Sequence, residues 1–326
     1  MKKVISIALA LLMVAVMLPV MAMAADNVAK IGETEYPTLE AAFAAVKNNE
    51  TIEVMKDCSG NGIVVQSGKN FTVDFNNCTY NIDGTTVGSP TTETNGFQLL
   101  KDSTITFKNG KLTSTKAKIL IQNYCNLTLE NMELDGLKLK YNKPNYTLSN
   151  NNGNVVIDGT NISAADGMVA FDVCRYADYV GPKVTVKGNS VINGKVEISS
   201  SRAKDGAQHE LVIENGTFNG PIVKAGESHD FSSSITGGTF NTDVTDYVGE
   251  NTLVVENNGK YYVGGTARDA IENATSGTFT VVRAVPGEGV EFEKVNPGTG
   301  ANDLVGVAAA MAVVSLLGAA AVIRKK

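Results

Sequence analysis

Apolar and polar positions along the middle of the chain follow one short template. Two apolar residues stand two apart, an Asn or Gly comes next, and a third apolar residue falls near the eighth place. Phe71, Val73 and Cys78 fit it, as do Ile105, Phe107 and Leu112. Leu127, Leu129 and Leu134 follow, then Val155, Ile157 and Ile162. Val184, Val186 and Val191 come next, then Leu211, Ile213 and Phe218, and 233–240 is a degraded seventh copy. Successive copies start 34, 22, 28, 29, 27 and 22 residues apart. Period-two alternation puts alternate side chains on one face of a strand. Asn109-Gly110, Asn131, Gly159, Gly188 and Asn215-Gly216 stand where the chain must bend, and these residue types accept left-handed backbone. A long cycle with insertions predicts a parallel β-solenoid over 51–245. Each coil there buries its apolar face only by stacking on the next. Stacked Asn residues are expected to tie coils together. An antiparallel sandwich, the competing reading, calls for turns about every 8–12 residues.

An open solenoid needs caps. Over 25–50, Thr38 is placed to N-cap a short helix, 39–47, with Leu39, Ala42, Phe43 and Val46 on one face. Ile52 and Val54 then begin the first strand. The segment 246–295 carries an echo of this. Thr266, Ala270 and Ile271 match Thr38, Ala42 and Phe43, and Phe279 and Val281 match Ile52 and Val54. Together with Tyr247, Val254, Tyr261 and Val263, it reads as a closing cap or as the start of a second, truncated solenoid.

The two ends read as addresses. Lys2 and Lys3 precede an apolar run over 4–21, then Ala22-Met23-Ala24. This is the three-part pattern of a secretory signal peptide, 1–24, with cleavage between Ala24 and Ala25. Near the other end, 304–323 carries no charge and is long enough to span a bilayer as a helix. The basic tail 324–326 follows and belongs on the cytoplasmic side, which leaves the body outside. Just upstream stands Asn296-Pro297-Gly298-Thr299-Gly300. With the spacer, span and tail, 296–326 resembles the cell-wall sorting signal of Gram-positive surface proteins. Pro297, Thr299 and Gly300 match its Leu-Pro-x-Thr-Gly motif. Asn296 replaces the usual Leu, as in variant motifs that begin Asn-Pro. The resemblance implies that a sortase cuts between Thr299 and Gly300 and joins Thr299 to peptidoglycan or to a pilus subunit. Membrane contact through 304–323 would precede sorting. The expected location is the cell wall and cell surface; a plain single-pass membrane protein is the alternative.

Composition agrees with a β-rich repeat. Of 326 residues, 43% are apolar and 19% charged, with 32 Gly, 8 Pro and no Trp. Setting aside Lys2, Lys3, Asp303, Arg324, Lys325 and Lys326 leaves 23 basic against 33 acidic residues. Nucleic acid, which needs a basic footprint, is therefore not an expected partner. The repeat resembles the right-handed parallel β-helix of the pectate-lyase-like superfamily over about 35–245. The expected fold class is all-β, with a short N-terminal capping helix and a C-terminal membrane-spanning helix. The superfamily holds lyases, glycoside hydrolases, esterases and non-enzymatic adhesins, so fold alone does not choose a function.

Catalytic sets are incomplete. A polygalacturonase-like site calls for Asn-Thr-Asp, paired aspartates, Gly-His-Gly and Arg-x-Lys. Only Asn241-Thr242-Asp243 is present, in the degraded copy, and it reads as a turn. Asp166, Asp172 and Asp178 near Arg175 sketch a lyase-type calcium site, but read better as acids in a solvated loop. His209 and His229 read as loop residues. Cys58, Cys78, Cys125 and Cys174 lack C-x-x-C spacing, so no zinc site is expected. They allow three disulfide pairings or remain buried thiols. No cofactor, metal or catalytic residue is expected. The insertions 141–153, 174–182 and 199–209 fall in one phase of the repeat and so on one side of the solenoid. They hold Tyr141, Tyr146, Arg175, Tyr176, Tyr179, Arg202 and Lys204. Tyr rings stack on sugar faces, and Arg forms bidentate bonds to acidic groups. These residues point to an adhesin or binding module for glycans or for proteins of host or neighbouring cells. A carbohydrate-active enzyme on the same fold, or a passive stalk or pilus component, are the rivals.

Overall fold

The computed structural model describes residues 26–89, 94–140, 145–201, 208–225, 231–249, 251–274, 277–283 and 321–325. The signal segment 1–24, the motif 296–300 and residues 304–320 lie outside them.

The body is a parallel β-solenoid with three walls. The third wall is a 7-stranded sheet. Its strands are Ile63–Val65, Asn95–Leu99, Ile119–Asn123, Tyr146–Asn150, Val169–Tyr176, Lys195–Ser201 and Ile222–Ala225, which number layers 1 to 7. Every pairing in it is parallel, so the chain makes about six turns. Layer 5 shows the plan: Gly153–Asp158 in the first wall, Asn161–Ala164 in the second, Val169–Tyr176 in the third.

The register follows the apolar template. Phe71 pairs with Ile105, and the column continues through Leu127, Val155, Val184 and Leu211 to Ser233. Val73, Phe107, Leu129, Ile157, Val186, Ile213 and Ile235 form the second column. The third column runs Tyr80, Leu112, Leu134, Ile162, Ile192, Phe218 and Phe240. Two expected members are therefore corrected. Tyr80 stands where Cys78 was expected, because the bend before it spends two extra residues, with Asn76 and Asn77 both left-handed. Ile192 stands where Val191 was expected, because the bend at Gly188 is one residue longer than that at Gly159.

The bends use the expected residues. Asn109, Asn131, Gly159 and Gly188 have φ of 56°, 52°, 56° and 63°. An Asn ladder joins the last layers. Asn219 donates to Asn193 Oδ1 at 2.7 Å, Asn241 donates to Asn219 Oδ1 at 3.2 Å, and Asn193 donates to Ser163 at 3.2 Å.

Helix α1, Leu39–Ala45, closes the open end of the core. Thr38 caps it by accepting from Ala41 N at 3.1 Å. The helix stops two residues before the expected Lys47, where Val46 turns extended. Leu39, Ala42 and Val46 are buried, and Phe43 packs edge-on against Phe71 at 5.6 Å. A hairpin, Ala29–Ile31 and Thr34–Tyr36, precedes the helix, and its first strand runs antiparallel to Thr51–Val54. It covers an edge that would otherwise stay open.

The other end uses the same plan. Val254–Asn257 pairs antiparallel with both Lys260–Val263 and Gly277–Arg283, with helix α2, Gly264–Asn273, between the last two. Lys260–Val263 also runs antiparallel to Gly237–Phe240 and ends parallel growth. Thr266 does not cap α2 as Thr38 caps α1. It accepts from Gly238 N at 3.0 Å and so ties the cap to the last coil. Leu253, Val255, Ala267, Ile271 and Phe279 form a separate small core. This unit thus closes the solenoid and repeats the pattern that opens it.

Ala321–Lys325 is a strand antiparallel to Gly277–Arg283. The expected helix 304–323 therefore does not extend over its last three residues, and β-branched Val322 and Ile323 suit a strand. Among the described residues, no helix is long and apolar enough to cross a membrane.

Phe107 lies among Phe43, Phe75 and Phe97, with ring centroids 6.3, 5.8 and 5.3 Å away. Phe107→Ala is expected to lower stability by about 3–5 kcal/mol. Asn219→Ala, which breaks the ladder near the surface, is expected to lower it by about 1 kcal/mol. Urea denaturation of both variants checks this ranking; equal losses would contradict it.

Candidate functional site

The outward side of the third wall carries a polar column. Gln98 pairs with Gln122, Gln122 with Ser149, and Asp172 with Glu197. Ser149 Oγ joins the two halves by donating to Asp172 at 3.2 Å. Phe171 and Val173 enter the core on either side of Asp172, so strand alternation turns its carboxylate away from the core. Asp172 also accepts from the backbone N–H of Asn150. The Tyr146 hydroxyl reaches across layer 5 and donates to Glu197 at 3.0 Å. The Lys195 ammonium lies 2.8 Å from the same carboxylate.

This network is nearly sealed. Asp172 is 4% exposed and Glu197 8%. Burial pushes the Asp172 carboxyl up to about 8, against the bonds from Asn150 and Ser149, and the Glu197 charge adds to the rise. Two carboxyl groups on neighbouring layers are thus held differently: one favours its proton, and the other is paired with a cation.

Three tyrosines cluster at the far end of the same wall. Tyr124 follows the layer 3 strand, Tyr176 ends the layer 5 strand, and Tyr179 lies in the turn after it. Ring centroids are 5.2 Å apart for Tyr124 and Tyr179, 6.2 Å for Tyr176 and Tyr179, and 6.3 Å for Tyr124 and Tyr176. Tyr179 lies tilted by 34° and 32° from its two neighbours. Its turn is built by left-handed Ala177, φ 49°, and Gly181, φ 95°. Ala177 N donates to Ser201 O at 2.9 Å and so anchors the turn to layer 6. Val180 at its tip is 77% exposed. A left-handed alanine is costly, and such strain gathers at ligand sites. Burial raises the Tyr124 phenol above its ordinary value, and Tyr176 and Tyr179 add to this.

The expected ligand residues divide. Tyr176 and Tyr179 meet, and Tyr124 joins them. Tyr124 was missed because it stands between two strands, outside any insertion. Tyr146 starts its strand, far from this corner, and joins the acidic column. Arg175 is only 4% exposed and shares the inward parity of Val173. It is not a surface arginine, because the layer 5 strand runs on through Tyr176 where a loop was expected. Tyr141, Arg202 and Lys204 lie outside the described residues.

Other expectations are corrected too. Asp172 is a strand residue, not a loop acid, and Asp166 and Asp178 sit in turns at opposite ends of Val169–Tyr176. Among the described residues, no three metal-binding side chains come together. His209 opens the strand His209–Ile213, is 1% exposed and packs its ring 5.2 Å from Phe231. It is a core residue; His229 lies outside the described residues. Asn241 ends the ladder, and Asp243 accepts from Thr245 N and Oγ1 at 2.9 and 2.8 Å. Both serve the turn. The four cysteines are free thiols, half-buried at Cys58 and Cys78 and buried at Cys125 and Cys174. Burial pushes Cys58 up to about 11 and Cys125 and Cys174 up to about 12, which leaves them protonated and poorly nucleophilic near neutral pH.

Asp172 gives the fold a pH dependence. Its folded-state value is raised, so its stabilising share is full in acid, below the ordinary carboxylate value. That share is lost as pH rises through about 8. The denaturation midpoint should fall between about pH 5 and pH 9, and Asp172→Asn should flatten that fall. An unchanged slope in the variant would contradict this. Comparison with known proteins finds no match to this chain among family models, curated proteins or solved structures.

Proposed function

We propose that this chain is an exported, wall-anchored surface protein whose solenoid is a non-enzymatic binding module for glycans or proteins of host or neighbouring cells. The observation that carries the reading is the Tyr124–Tyr176–Tyr179 corner, half-exposed on a rigid stack. Address-like segments flank that stack at both ends. A sortase would join Thr299 to peptidoglycan after the signal peptide is removed. The strand pairing of 321–325 and a membrane span over 304–323 exclude each other in one molecule.

One observation favours a second reading. Asp172, whose burial favours its protonated form, pairs across the sheet with Glu197, whose carboxylate meets Lys195, and two adjacent carboxyl groups are what an acid–base pair needs. A carbohydrate-active enzyme would use them as acid and base on a glycoside. Their near-complete burial under Tyr146 favours the binding module. A passive stalk would need neither feature.

Two measurements test this. Thr299→Ala should abolish the fraction of protein released only by muramidase digestion of walls; an unchanged fraction would remove the anchoring step. A glycan and matrix-protein array with the full chain, scored for retention and cleavage, separates the classes. Saturable retention without cleavage is expected. Cleavage would favour the enzyme, and silence on both counts the stalk.

A further inference from the structure

The tyrosine corner also carries information about which ligand it takes. Burial raises the Tyr179 phenol, and the carboxylates of Asp178 and Asp102 add to the rise. Asp178 is exposed in the same turn as Tyr179, and Asp102 is exposed in the turn after layer 2, with φ 63°. Lys101 sits beside Asp102 in that turn. Arg175, the described arginine expected to hold an acidic group, is buried. The corner thus offers aromatic ring faces, an exposed Val180 and hydrogen-bond acceptors. Carboxylates accept hydrogen bonds from hydroxyl groups and repel other carboxylates or sulfates.

We propose that Tyr124, Tyr176 and Tyr179, with Asp178 at their rim, form a binding site for the pyranose face of a neutral, hydroxyl-rich glycan. The carboxylate weakens the binding of acidic polysaccharides there. The C–H face of a pyranose ring packs on Tyr179. Its equatorial hydroxyls donate to Asp178. The turn held by left-handed Ala177 and by the bond to Ser201 keeps the ring in place before the ligand arrives, which limits the entropy lost on binding. This inference rests on the reading of the chain as a glycan-binding module.

The test uses the full chain and two oligosaccharide sets: neutral gluco- and manno-oligosaccharides, and uronate oligomers of matched length. Calorimetry should give saturable binding of a neutral series, with the uronates weaker by about tenfold or more. Tyr179→Ala should weaken neutral binding by about tenfold, while Tyr179→Phe, which keeps the ring, should stay within about threefold. Asp178→Asn should narrow the gap between the two sets. A thermal melt confirms that Tyr179→Ala is folded; if it is not, Val180→Asp, at the exposed tip, replaces it with the same expected loss. Tighter binding of uronates, or no neutral binding, would overturn the proposal. So would neutral binding that survives Tyr179→Ala, although the binding module would then stand with its site elsewhere. Silence of the whole glycan and protein array would remove both.

Discussion

No layer of this protein can bury its own apolar residues. A coil of three short strands has one inward row per wall, and that row is covered only by the rows above and below it. Layer-to-layer hydrogen bonding in a fixed register is therefore the constraint on which the structure depends. A slip of one residue would turn Phe71, Ile105, Leu127 and their column outward. Left-handed Asn and Gly residues help to hold that register by bending the coils at the same corner, as at Asn109, Asn131, Gly159 and Gly188. The two end units follow from the same constraint. Each supplies a helix and an antiparallel strand that pairs with one wall where there is no further coil.

The same stacking builds the outer surface. Residues distant in sequence become neighbours because they share a phase of the repeat. Tyr124 and Tyr176 come from layers 3 and 5, and the turn after layer 5 brings Tyr179 back against both. Ser149, Asp172 and Glu197 come from three successive layers and make one network. The protein thus has a rigid surface on which a few side chains can be varied without disturbing the core. The aromatic corner is accessible, while the acidic network is covered by Tyr146. That difference in access, more than residue type, is the reason a binding role is proposed over a catalytic one.

Much of the fold was legible because period-two alternation and left-handed bend residues are local signals. The first two inward columns stand where the template put them, and so does the cap at Thr38. The third column slipped at Cys78 and Val191, because bend length varies and only neighbouring layers fix it. The N-terminal hairpin was missed: its strands are three residues each, too short for a pattern. The candidate site was less legible. The layer 5 strand took in Asp172, read as a loop acid, and by continuing into an apparent insertion buried Arg175. Tyr124 carried no signal of its own, since only the end of layer 5 and the turn after it, reaching past layer 4, make it part of a cluster.

Register between layers is the central claim, and it can be measured directly. Thr185 and Val212 are partners in adjacent first-wall strands, between the inward pairs Val184–Leu211 and Val186–Ile213. Cysteines placed at both positions should form a disulfide under mild oxidation, since adjacent strands lie about 4.8 Å apart. The pair Thr185→Cys and Glu214→Cys, displaced by two residues, should not. Peptide mapping that finds the 185–212 link alone supports the stacked register. Equal or preferred linkage in the displaced pair would contradict it, and with it the placement of every outward residue discussed above.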